Sequence, residues 1–289
     1  IAKQLLTVSD GAKVVELEEM PPCLITKQDG ATLYATRDLA AAFYRQHHYT
    51  PEKIFYVVGN EQSLHFKQVF NVIDKMGYSW AKDLQHVPFG MMLKDGKKMS
   101  TRKGRVILLK DVLDEAIQTA KQNILDKNPA LPNHEEVARQ VGVGAVIFND
   151  LKNFRLNDIE FSLEQMMNFE GETGPYVQYT VARISSLLEK AAFTPANVVL
   201  KELEEQAWST IVCLQDYPKA VQEAYEQADP SIVAKYVLQL ARAFNKYYGN
   251  TKILVDDAAR ESRLVLCYCV AAVLKDGLKL LGLQAPRNM

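Results

Sequence analysis

The chain has 289 residues, of which 48% are hydrophobic and 24% charged, with a net charge of −1. That length allows one to two domains, with two the working number, and the balance is that of ordinary globular chains, which excludes disorder and fibrous repeats. The longest apolar run, Leu264 to Leu274, is too short for a bilayer core of about 30 Å, so no membrane partner is expected. The opening IAKQLLTVSD lacks an initiator Met and any secretion-signal pattern, and a truncated chain is expected. Cys23, Cys213, Cys267 and Cys269 show no C-x-x-C spacing, which points to a reducing, cytoplasmic location without zinc or disulfides.

From Cys23 to Gly90 short apolar runs alternate with helix-period segments, the pattern of strands and crossover helices in an α/β sheet. CLITKQDGATLYA reads as a hairpin turning at Asp29-Gly30, because glycine tolerates the positive φ of a tight turn. KIFYVVG, residues 53–59, reads as a buried strand between Pro51 and Gly59. SLHFKQVFNVIDKMG reads as a helix with Leu64, Val69, Ile73 and Met76 near helical spacing, and QHVPFGMML supplies a further strand.

Beyond Arg105 the hydrophobic period becomes helical and stays so nearly to the end. Asp111 precedes a helix carrying Val112, Leu113, Ala116, Ile117, Ala120 and Ile124, stopped by Pro129 and Pro132. Asn133 is the expected cap of the next helix, whose Val137, Val141, Ala145 and Phe148 face a core. The remainder reads as an all-α bundle punctuated at Gly174-Pro175, Asp216-Tyr217-Pro218, Asp229-Pro230 and Gly249-Asn250. Asp257 is the expected cap of the last helix, where Leu266, Val270, Leu274, Leu278 and Leu281 recur ahead of a C-terminal Gly282. The fold class expected is α/β followed by all-α.

Residues 94–105, KDGKKMSTRKGR, concentrate six Lys or Arg and one Asp, local charge that the whole-chain total of −1 hides. A glycine-bounded basic loop after a strand suits triphosphate chemistry, where flexible cations follow the charge that builds on a departing pyrophosphate. The plainer reading is a solvated surface hairpin. The five histidines, His47, His48, His65, His86 and His134, include no i, i+4 pair about a helical carboxylate, so no protein-held metal is expected.

Lys98-Met99-Ser100 resembles the lysine-methionine-serine signature loop of class I aminoacyl-tRNA synthetases, with Thr101, then Arg102 and Lys103, where that family usually has a second lysine. ATLYATRDLAAAFYR (31–45), YVVGNEQSLHFKQVF (56–70), FEGETGPYVQYTVARISSLL (169–188) and the final LLGLQAPRNM resemble stretches of arginyl-tRNA synthetases in particular. The resemblance covers nearly the whole chain. The other class I signature, a histidine-containing HIGH-type motif, is not among these residues.

The resemblance implies the later part of a class I Rossmann-like catalytic domain over 1–110, a helical junction over 111–168 and a helical anticodon-binding domain over 169–289. It implies activation of L-arginine with ATP, which carries Mg²⁺ on its phosphates, and transfer of arginine to tRNA(Arg) by a monomeric enzyme. Lys98 and Ser100 would be catalytic, and Lys98, Met99 and His65 would approach ATP. Asp38 is the candidate for recognising arginine, since a carboxylate matches the planar guanidinium fork. Its plainer reading is a partner of Arg37 or a helix-start carboxylate. Tyr34 and Gln62 would complete that pocket. Tyr176, Tyr179, Asn245, Tyr248 and Met289 would approach the anticodon loop, where aromatics can stack on unpaired bases. The competing expectation is a non-catalytic RNA-binding module derived from a synthetase.

Overall fold

A computed structural model describes residues 5–94, 96–98, 108–195 and 198–289, which divide into two compact units, Ile1–Met91 and Met92–Met289.

The first unit opens with strands β1 (Leu6–Ser9) and β2 (Ala12–Val15), an antiparallel pair that the apolar pattern does not announce. They turn on Asp10-Gly11, both at positive φ (48° and 78°), the conformation a two-residue type I′ hairpin demands and Asp-Gly supplies. Strand β3 (Cys23–Thr26) extends this sheet beside β2. The hairpin expected at Asp29-Gly30 does turn, with Gly30 at φ 82°, but its return arm is a single bridge from Thr26 to Thr32. Helix α1 (Tyr34–Tyr49) begins instead. Its entry is fixed locally: the Thr36 hydroxyl donates to the Ile25 carbonyl and accepts from the Leu33 amide, bonds that take the place of a longer ladder.

Strands β4 (Ile54–Gly59) and β5 (Leu84–Phe89) pair in parallel, with helix α2 (Ser63–Lys75) in the crossover that a parallel pair requires. The burial expected of β4 holds at Tyr56 alone, while Phe55 is 44% and Val57 65% exposed. Among the described residues this sheet has two strands, and side chains alternate across it, so one face packs inward and the other is open. In α2 the core stripe is Phe66, Val69, Val72 and Ile73, and Leu64 is exposed, because the i, i+3, i+7 set starts at Phe66.

In the second unit β6 (Met92–Lys94) pairs antiparallel with β7 (Lys97–Lys98) and parallel with β8 (Ile159–Glu160). Helices α3 (Leu109–Lys127) and α4 (His134–Leu151) pack through Ala116, Ala120 and Ile124 against Val137, Val141 and Ala145. Asn133 occupies the α4 cap position, but its side chain makes no capping bond. After the short α5 (Leu163–Met166), α6 (Gly174–Lys190) starts from Thr173, whose hydroxyl accepts from the Tyr176 amide at 3.2 Å, with Pro175 in its first turn. Helices α7 (Trp208–Gln215), α8 (Tyr217–Gln227), α9 (Ser231–Asn250) and α10 (Arg260–Leu280) follow, sharing a core that includes Val181, Ile184, Phe244, Tyr247, Leu264 and Leu274. Ala259, rather than Asp257, is the α10 cap; Asp257 instead accepts from the Ala259 amide and pairs with Arg263 at 2.6 Å. Among the described residues no helix is long and apolar enough to cross a membrane.

The α3–α4 contact depends on Gly142, where an added Cβ would lie 2.7 Å from the α3 backbone at Ala116 and Ile117. Gly142→Ala is expected to force the helices apart and destabilise the unit by about 1–3 kcal/mol. Gly249→Ala, at a helical site with nothing within 4 Å, is expected to be neutral or to stabilise by about 0.5–1 kcal/mol. Urea unfolding of both variants beside the parent checks the pair; equal midpoints would mean that α3 and α4 are not held at this distance.

Candidate functional site

In the first unit Tyr34 and Asp38 stand one turn apart on α1 and share a face. Asp38 Oδ2 lies 2.6 Å from His65 Nε2, in the first turn of α2. This bond, rather than one to Arg37 or to a helix start, is what holds the carboxylate. It brings α1 to the segment that follows the carboxyl end of β4, the edge where open α/β sheets bind ligands. Gln62 is in that segment, exposed in a 3-10 turn between β4 and α2. Tyr34 is 78% exposed. The structure therefore joins Asp38 to His65 directly, with Tyr34 on the same helix as Asp38 and Gln62 just ahead of α2. An ionised carboxylate has about four acceptor positions, so the histidine leaves capacity for a guanidinium.

Of the basic segment, residues 94 and 96–98 are described. Lys97 and Lys98 form β7, paired with Lys94 and Leu93. Gly96 makes the turn at φ 68°, and its amide donates to Glu160 Oε2 at 3.2 Å. Met99 and Ser100 lie outside the described residues. Among the described residues no three His, Cys, Asp or Glu side chains group as metal ligands would.

In the second unit the five candidates spread from Tyr176 to Met289 line two clefts that share Tyr179 and Arg183. The larger, of about 820 Å³, includes Tyr176, Tyr179, Arg183 and Asn245. The smaller, of about 370 Å³, includes Tyr179, Arg183, Tyr248 and Met289. Asn245 donates to Tyr176 Oη and Thr180 Oγ1, each at 2.9 Å, and accepts from Arg183 at 3.0 Å, so its amide is fully oriented. The Arg183 guanidinium lies 4.9 Å from the Tyr179 ring centre and 5.4 Å from that of Tyr248. Arg183 is the residue the sequence reading misses. Its signal is the spacing Tyr176, Tyr179, Arg183, one face of α6. A planar cation between aromatic rings, with amide groups beside it, is suited to bases splayed from a single strand.

Two family models match the chain: tRNA synthetases class I (R), catalytic domain, over residues 1–163, and DALR anticodon binding domain over residues 177–289. The chain is 58% identical to arginine–tRNA ligase 2 of Bacillus anthracis, over 99% of this chain and 51% of that protein. It is 54% identical to the arginine–tRNA ligase of Enterococcus faecalis, over 99% and 52%. The solved arginyl-tRNA synthetase of Thermus thermophilus superposes with a TM-score of 0.90 at 28% identity, over 99% of this chain and 56% of that one. The chain thus spans about half the length of the curated relatives it matches.

A mixed α/β catalytic part followed by an all-α anticodon-binding domain, as expected from the sequence, is the build of a class I aminoacyl-tRNA synthetase. Within that class the chain belongs to the arginyl-tRNA synthetase family.

Proposed function

We propose that these residues are the later catalytic segment, helical junction and anticodon-binding domain, divided at 110/111 and 168/169, of an enzyme that charges tRNA(Arg). The arginine carboxylate attacks the α-phosphate of ATP, forming arginyl-adenylate and releasing pyrophosphate. A terminal ribose hydroxyl of the tRNA then attacks the activated carbonyl, and AMP leaves. Asp38 binds the guanidinium, with Tyr34 and Gln62 about it, and His65, which bonds Asp38, approaches ATP. Lys98 and Ser100 are assigned to catalysis, and Lys98 and Met99 to the ATP site, as members of the signature triplet. Magnesium arrives on the ATP phosphates. The 289 residues contain no HIGH-type motif, so by themselves they are expected not to support arginine-dependent ATP–pyrophosphate exchange, and exchange at the rate of a full-length synthetase would refute this division of labour.

The observation that carries this reading is that Tyr176, Tyr179, Asn245, Tyr248 and Met289 line two clefts of the helical unit with Tyr179 and Arg183 in common. The chain is expected to bind tRNA(Arg) with an affinity that falls with salt, as phosphate contacts release counterions. Tyr179→Ala removes a stacking ring, a loss of about 1–3 kcal/mol or roughly 5–150-fold in affinity. Filter binding at several salt concentrations, with anticodon-substituted tRNA as the control, measures both. Binding indifferent to Tyr179 and to the anticodon would remove the clefts from the account.

A further inference from the structure

We propose that the larger cleft extends the RNA path beyond the anticodon-binding domain, with Lys127 of α3 holding a backbone phosphate of the bound loop. This rests on the reading of the helical unit as the tRNA surface and adds a wall to it. One side of the cleft is α3, through Thr119, Asn123 and Lys127, which belongs to the stretch matched by the catalytic-domain model. At about 820 Å³ the cleft is at the upper end of the range that encloses a drug-sized ligand, and so takes more than a single base.

Its side chains form an alternating series. The Lys127 ammonium is 4.5 Å from the Phe169 ring centre, Phe169 meets Tyr179 edge-on at 6.5 Å, and Tyr179 lies beneath Arg183 at 4.9 Å. Aromatic faces interleaved with cations are the recurring composition of single-strand binding grooves, in which rings take bases and cations take the backbone. Lys127 is exposed in the last turn of α3, and among the described residues it lies over the Phe169 ring rather than against a carboxylate. An ammonium held over a ring keeps its charge, and the N–H groups turned away from the ring remain available to an incoming phosphate. Glu164 and Glu170 line the same cleft. They repel phosphate from their side and can accept from base amino groups, which orients bases inward and leaves the backbone to Lys127 and Arg183.

The test is the affinity of the 289-residue chain for tRNA(Arg) as a function of salt, for Lys127→Gln, Lys127→Arg and Tyr179→Ala. Lys127→Gln is expected to weaken binding several-fold and to lower the slope of log K against log salt by about one phosphate's worth. Lys127→Arg is expected to restore both, and thermal unfolding of the two Lys127 variants to match the parent. If Lys127→Gln binds with parental affinity and slope while Tyr179→Ala is weak, Lys127 only braces Phe169 and the proposal is overturned, with the anticodon reading intact. Loss of binding in Lys127→Gln that follows a lowered unfolding temperature, without rescue by arginine, overturns it too. If Tyr179→Ala and Lys127→Gln both bind normally, the reading beneath the proposal fails with it.

Discussion

Lys98→Ala in the full-length synthetase is expected to slow arginyl-adenylate formation by about 10²–10³-fold, the loss seen when other transition-state donors are removed. In the proposed role Lys98 stabilises negative charge that grows as pyrophosphate separates, so the effect is expected on kcat and kcat/KM together rather than on ATP binding. Lys97, its neighbour on β7, carries the same charge without the matching position in the signature triplet. Lys97→Ala is expected to cost several-fold at most. Single-turnover adenylate formation at saturating ATP and arginine separates the two. Equal losses would reduce the segment to a diffuse basic patch, and a Lys98 effect confined to the ATP KM would make it a ground-state contact.

Asp38→Asn is expected to raise the arginine KM strongly and leave the ATP KM nearly unchanged. Removing the charged partner of a cation held out of water costs about 2–5 kcal/mol, roughly 30- to several-thousand-fold. Asparagine keeps the shape and one acceptor oxygen, so the change isolates charge. The histidine contact makes a second readout available: if Asp38 served only to anchor α1 to α2 through His65, the variant would lose thermal stability and leave the arginine KM alone.

The helices were legible where one stripe is buried throughout. Val137, Val141, Ala145 and Phe148 in α4, and Val270, Leu274 and Leu278 in α10, recur at helical spacing and are all buried. The β1–β2 hairpin escaped because β1 is exposed along its length, which leaves no alternation to read, and Asp10-Gly11 was its only mark. Asn133 and Asp257 have side chains able to cap a helix, but whether they do depends on geometry that residue type does not set.

Candidate site residues could be named from the sequence one at a time, and their contacts could not. Asp38 and His65 are separated by all of β4, and periodicity carries no information about tertiary pairs. A single charge on a helix is ordinarily part of a solvated face, and the place of Arg183 between Tyr179 and Tyr248 depends on α9 packing beside α6. Lys127 and Phe169 meet from separate elements, joined only by the fold.

In the proposed site the carboxylate of Asp38 selects arginine by its charge. Citrulline, which has nearly arginine's shape and a neutral end, tests it when the full-length synthetase is assayed for ATP–pyrophosphate exchange with each amino acid, with and without Asp38→Asn. A preference of about 30-fold or more for arginine is expected in the parent, collapsing toward parity in the variant. A parent that activates citrulline as readily as arginine, or a variant that keeps the parental preference, would contradict it.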